Sequence, residues 1–185
     1  MIILMPMSKK TVGLHGFTIV ELLIVIVVIA VLATLPVAAY SGMQQRGRDT
    51  QRVSDMKAIV KGLEMYKTIT GAYPTASTAN VISGWEASSI NPSQFLFVLK
   101  TSNVMSVVPV DPVNNSTTDT HGMLYRYFKY AAGSNGCDPI RGAYYVLVVG
   151  DAESSTGQLG ASPGFQCSGR NWSTEGGWVT GGYTN

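Results

Sequence analysis

Histidine and cysteine are scarce in this chain, with two of each among 185 residues. His15 stands near the start and His121 beside Asp119, far from any cysteine–histidine pairing of the catalytic kind. No nucleophile elbow and no phosphate-binding glycine loop is present. Two cysteines with one histidine in the same half give no metal-ligand spacing. Catalysis, a metal and a cofactor are therefore not expected. Asp151 and Glu153 follow an apolar run, but their spacing matches no calcium loop, and a solvated turn is the expectation. Charge is also thin, at 13% Asp, Glu, Lys and Arg. Beyond residue 70 five basic residues (Lys100, Arg126, Lys129, Arg141, Arg170) face seven acidic ones. Duplex DNA binding needs clustered positive charge, so direct nucleic-acid binding is not expected. Internal repeats are absent, and no second long apolar run follows residue 39.

That one run is long. From Gly16 the chain reads Phe17-Thr18-Ile19-Val20-Glu21, then continues from Leu22 to Ala33 without a polar side chain. Thr34 and Pro36 are its only interruptions before Ala39. Leu22 to Ala39 makes about 27 Å of helix, close to the ~30 Å hydrocarbon thickness of a bilayer. Glu21 inside such a segment costs about 2.5–3.5 kcal/mol by insertion scales, so it needs a partner or a function. A secretory signal would place its cleavage site after the apolar stretch. Here the candidate site, Gly16, precedes it, so cutting there keeps the anchor.

Lys9-Lys10, the string Gly16-Phe17-Thr18-Ile19-Val20-Glu21-Leu22-Leu23 and the apolar stretch behind it together resemble the type IV pilin family and its secretion-system relatives, the pseudopilins. The resemblance implies a leader, residues 1–16, cut after Gly16 on the cytoplasmic face by a prepilin peptidase. The same enzyme would N-methylate Phe17. It implies a transmembrane and assembly helix over residues 17–39, with Glu21 at the family's glutamate position as the assembly residue. The chain would sit as a single-pass protein in the inner membrane and then move to a cell-surface, extracellular filament. Further copies of itself, other pilins, a platform membrane protein and an assembly ATPase would be its partners. Two features depart from the family pattern. No glycine loosens the run, which offers only Ala30 and Ala33, and Pro36 comes slightly early. The physics of Glu21 fits the resemblance. After cleavage the Phe17 amine lies one helical turn from Glu21 on the same face. Each charge is costly alone in hydrocarbon, and pairing, within a chain or with a neighbour, removes most of that cost.

Residues 40–70 continue the helix as an amphipathic segment. Val53, Met56, Val60, Leu63 and Tyr66 recur at helical spacing with Ile59 alongside, while Lys57, Lys61 and Glu64 take the other side. The stripe is expected to pack on the protein's own sheet. Pro36 predicts a kink, and Gly71 and Pro74 stop the helix. Ile69-Thr70-Gly71-Ala72-Tyr73-Pro74 resembles the helix exit of pilins. Residues 71–185 read as a globular head. Asn91 and Pro92 predict a short helix over 94–100. Strands are predicted at 123–132, 143–150 and 178–183, with the middle one central in an antiparallel sheet. Cys137 and Cys167 fall in the half expected to be exported, where an even count favours a disulfide; they also resemble the C-terminal disulfide loop of many pilins. The fold class is α+β, a pilin-like long helix on an antiparallel head.

The leading function is a structural subunit of a type IV pilus filament serving adhesion, motility or DNA uptake. The alternative is a pseudopilin of a type II secretion system, whose pattern Val110-Asp111-Pro112 resembles. The disulfide and the longer head favour the pilin. A third reading, from another class, is a monomeric membrane-anchored binding module.

Overall fold

The computed structural model describes residues 16–117, 122–153 and 159–185, and the side chains of residues 34–39 also lie outside the description. Lys9, Lys10, His15, Asp119 and His121 are thus outside it. The chain divides into a unit ending at Ser41 and a second unit, Gly42–Asn185. Helix α1 is Ile19–Thr70. It ends where Gly71 takes a left-handed φ of 82°, a conformation glycine adopts without a Cβ penalty. The second unit adds β1 (Val81–Ile82), β2 (Trp85–Ala87), the short α2 (Phe97–Thr101), β3 (Tyr125–Tyr130), β4 (Tyr144–Val149), β5 (Gln166–Cys167), β6 (Arg170–Asn171) and β7 (Trp178–Tyr183). Five strands form one antiparallel sheet in the order β1-β2-β3-β4-β7, and β5 with β6 forms a separate pair. The molecule is α+β with a long N-terminal helix, as the pattern of runs predicts.

Strand β4 explains the rest of the packing. All six of its residues are buried, and their alternation feeds two cores. Tyr145, Leu147 and Val149 join Met56, Ile59 and Leu63 of α1, with Tyr125 and Tyr127 of β3. Tyr144, Val146 and Val148 point the other way, onto Trp172, Trp85 and Val179. The helix stripe therefore packs on the sheet, with Val53, Val60 and Tyr66 at its margins. The second core is a layer the sequence does not announce. Loop segments cover it: Gly169 N–H donates to Asn135 C=O at 2.9 Å, and Ser168 Oγ donates to Gly136 C=O at 2.9 Å. Cys137 and Cys167 are bonded to each other across these segments, with Cα atoms 4.8 Å apart.

Two expectations for the head are corrected. The short helix starts at Phe97, not at residue 94, and Asn91 does not cap it. Residue 96 adopts a left-handed φ of 44°, and its N–H donates to the buried Glu86 carboxylate at 2.6 Å. Glu86 also accepts the Ser77 N–H at 2.8 Å, so one carboxylate fixes two loops. Burial pushes this carboxyl up, against the lowering effect of the two N–H donors. The second correction concerns Glu153, which is not in a solvated turn.

Glu153 belongs to an ionic cluster around Arg52, whose side chain has no exposed surface. Arg52 donates to Asp111 through Nε at 2.7 Å and Nη2 at 3.0 Å, to Asp49 at 2.7 Å and to Glu153 at 2.8 Å. Arg48 donates to both oxygens of Glu153. Asp111 also accepts the N–H groups of Val113 and Asn114, and Asp49 accepts the Glu153 N–H. Burial alone would lower Arg52, but the surrounding carboxylates hold it raised. Arg48, with Arg52 beside it, draws the Glu153 carboxyl down to about 2 against the opposing effect of burial. Next to the cluster, Tyr125 Oη donates to Asp55 at 2.8 Å, and burial raises both groups. Asp151 instead accepts the Gly122 N–H at 2.5 Å.

Arg52→Ala strands three carboxylates and should cost about 3–5 kcal/mol in urea unfolding, whereas the exposed Arg46→Ala should stay within about 0.5 kcal/mol. A depressed carboxyl contributes stability that is full above the unfolded value and lost as pH falls toward the folded one. For Glu153 that window runs from about 5 down to about 2. Glu153→Gln should flatten the stability profile within this window and leave it unchanged in slope near pH 7. Replacing both Cys137 and Cys167 by serine reopens a loop with a sequence separation of 30 and should cost roughly 3–4 kcal/mol by chain entropy, read as a lower melting temperature.

Candidate functional site

The residues singled out for processing and assembly lie at the start of the described chain. Gly16, Phe17 and Thr18 carry no regular structure, and the helix starts at Ile19. Thr18 is the N-cap. Its C=O accepts the Leu22 N–H at 3.2 Å and its Oγ1 accepts the Glu21 N–H at 3.2 Å. Glu21 is then the third helical residue, and Thr18-x-x-Glu21 has the spacing of a capping box. The sequence signal that marks Thr18 as a cap is its three-residue spacing from the glutamate. Glu21 also sits where the helix dipole favours a negative charge, an effect of about 0.3–1 kcal/mol at an exposed position. Its carboxylate has no hydrogen bond or ion pair among the described residues. Phe17 is 78% exposed. A side chain at Gly16 would meet nothing within 4 Å, so packing does not demand glycine there.

Behind Glu21 the chain leaves its apolar side chains open. From Ile19 to Leu32 the large hydrophobics are all exposed, the least being Val25 at 49%. Each aliphatic side chain of this kind gains about 1.5–3 kcal/mol when fully buried. The segment therefore needs a cover that the described residues of its own unit do not provide. Among the described residues no helix is long and apolar enough to cross a membrane. The predicted span over 17–39 includes six residues whose side chains are not described, and the described apolar portion stops at Ala33. The helical backbone passes through Pro36. Cys137 and Cys167 are remote in sequence from this segment and belong to the second unit. Among the described residues no three histidine, cysteine or carboxylate side chains converge as a metal site.

The prokaryotic N-terminal methylation motif matches residues 15–35. The chain is similar to type II secretion system core protein G of Escherichia coli (strain K12), 40% identical over 63 residues, which is 34% of this chain and 43% of that protein. The same protein of Pseudomonas aeruginosa is 37% identical over 60 residues, 32% of this chain and 42% of the relative. That of Vibrio cholerae serotype O1 is 33% identical over 69 residues, 37% and 44% respectively. The chain thus spans less than half the length of the curated relatives it matches. No solved structure matches it. The relatives carry the name of the secretion alternative, not of the pilus reading. A prepilin-type start implies anchoring in the inner membrane before assembly. Gly16 ahead of an exposed apolar helix, and Glu21 without a partner among the described residues in its first turn, coincide with a match to the prokaryotic N-terminal methylation motif, a prepilin-type start.

Proposed function

We propose that this chain is a pilin-like structural subunit of a type II secretion system, cut after Gly16, N-methylated at Phe17 and polymerised through α1. What carries the reading is the methylation motif at residues 15–35 in a chain similar to type II secretion system core protein G of Escherichia coli, Pseudomonas aeruginosa and Vibrio cholerae. In this reading residues 1–16 are the leader, 17–39 the membrane and assembly helix, 40–70 the rest of the stalk and 71–185 the head. The exposed apolar side chains support it, because leaving the bilayer would strand them in water unless neighbouring helices take the place of lipid. Glu21 supports it too. The amine freed at Phe17, on the same or a neighbouring subunit, is the cation this carboxylate lacks. Pro36, which removes one backbone donor, is the proposed bend in the helix. A prepilin peptidase, a platform membrane protein, an assembly ATPase, other pilins and further copies of the chain are the proposed partners. The head has no assigned catalytic role in this reading.

The Cys137–Cys167 bond favours a second reading, a type IV pilus subunit at the cell surface. Deleting the chain separates the two. Loss of protein secretion with surface filaments intact supports the secretion subunit, and loss of sheared surface filaments with secretion intact supports the pilus.

Mass spectrometry of the mature chain should show a start at Phe17 bearing one added methyl group. An intact leader would overturn both readings. Glu21→Ala should leave the folded head unchanged by circular dichroism yet reduce cross-linked multimers tenfold or more. Undiminished multimers would rule out the charge pairing, and wild-type function without any multimers would point to a monomeric anchored binding module.

A further inference from the structure

The outer edge of β7 is only partly used. Val179 turns both of its peptide groups away from β4: its C=O accepts the Gly164 N–H at 2.9 Å, and its N–H donates to Ser162 Oγ at 2.8 Å. In a strand the next groups on that edge belong to Gly181 and Tyr183. The Tyr183 C=O is taken by Lys67 Nζ at 2.9 Å and by Tyr73 Oη at 3.3 Å. The N–H and C=O of Gly181 and the N–H of Tyr183 have no partner beyond β4 among the described residues. A groove of about 430 Å³ runs along this stretch, lined by Arg141, Gly164, Phe165, Gln166, Gly181 and Tyr183. Gly181 lets the Phe165 ring lie against the strand, since a Cβ there would come within 2.5 Å of it.

The groove also has a charge to satisfy. The Arg141 guanidinium lies 3.8 Å from the Tyr183 ring centroid and is exposed, with no carboxylate partner among the described residues. No acidic side chain lines the groove. The nearest carboxylate to the neighbouring Gly182 position is Glu64, and it already accepts the Tyr73 hydroxyl at 2.6 Å.

We propose that the free end of β7 binds an extended peptide strand of a partner protein that carries an acidic side chain. Strand addition would use the unpaired groups of Gly181 and Tyr183, and Arg141 would select the acid. A second copy of this chain fits less well. Pairing β7 edge to edge would bring two Arg141 guanidinia to one seam with no carboxylate between them, and like charges across a strand pair are unfavourable. The inference does not depend on whether the chain polymerises.

Amide hydrogen exchange on the full-length chain in detergent micelles tests it. The probe is a peptide of alternating valine and threonine with glutamate at both ends, so that either strand direction can place an acid at Arg141. At saturation the Gly181 and Tyr183 amides should exchange at least tenfold more slowly, while those of Thr180 and Gly182, which face β4, should not change. A version with glutamine in place of both glutamates, and the original peptide with the Arg141→Gln protein, should each bind about tenfold more weakly. N-methylation of alternate peptide amides should abolish binding to the wild-type protein. Unchanged exchange at millimolar peptide, or equal protection by the glutamine version, would overturn the proposal. Slowed exchange at Gly181 and Tyr183 without peptide, rising with protein concentration, would replace the acidic partner with a second copy.

Discussion

A guanidinium with no access to water is the fixed point of the second unit. Arg52 can be buried only because Asp49, Asp111 and Glu153 surround it, and those three come from α1 and from two loops far apart in sequence. Desolvating such a group costs several kcal/mol, and good geometry with full hydrogen bonding is what offsets it. The cluster is therefore weak as a source of net stability and strong as a constraint on position. Any arrangement of the two loops that misses Arg52 leaves a buried charge unmatched. Asp111 extends the constraint by holding the N–H groups of Val113 and Asn114, and Asp49 extends it by holding that of Glu153. Helix register on the sheet is set from two sides: apolar by Met56, Ile59 and Leu63, and ionic by Arg52.

The first unit works under the opposite condition. Its large apolar side chains from Ile19 to Leu32 remain open, and Glu21 has a backbone cap at hand and no cation among the described residues. A folded domain hides apolar surface against itself. This segment does not, so its stable environments are lipid or other apolar helices. The two differ in what they offer Glu21. Hydrocarbon penalises the carboxylate, whereas a helix bundle that brings an amine to the same depth relieves it. In the proposed reading that difference would favour the helix bundle over a permanently lipid-bound monomer.

How much of this was readable in the residues depends on distance along the chain. The Gly16–Glu21 string, the amphipathic stripe and the continuous apolar run of β4 are local patterns, and their periodicity or order is visible without a fold. Strand β7 was bounded correctly at Trp178 and Tyr183 because a glycine-rich turn precedes it. The two-residue β1 and the three-residue β2 are too short to show any alternation. The early start assigned to α2 failed for a different reason: the Glu86 carboxylate, ten residues away, takes the residue 96 N–H. In sequence Arg52 is only the third of three arginines, after Arg46 and Arg48, that follow the apolar run. Only the fold brings Asp111 and Glu153 to it, across 59 and 101 residues, and no local spacing encodes that.

The groups that the fold leaves unmatched are then more informative than those it matches. Most of the charges in the second unit are consumed internally: Arg48 and Arg52 by carboxylates, Arg170 by Glu175, Lys129 by the Tyr73 C=O and Lys67 by the Tyr183 C=O. Arg126 reaches the Glu175 C=O and stacks over Trp85. Arg46, Lys57, Lys61 and Lys100 are exposed cations without an ion pair among the described residues; Glu21 and Arg141 differ from them in place, one at the start of an exposed apolar helix and the other beside an unfinished strand edge. They differ in what they require. Glu21 lies where any partner must also bury apolar surface, which suits a like helix. Arg141 stands at a polar groove with open backbone groups, which suits an extended chain. The two proposed interactions thus draw on different residues: Glu21 and the apolar start of α1 for a like helix, Arg141 and the open groups of β7 for an extended chain.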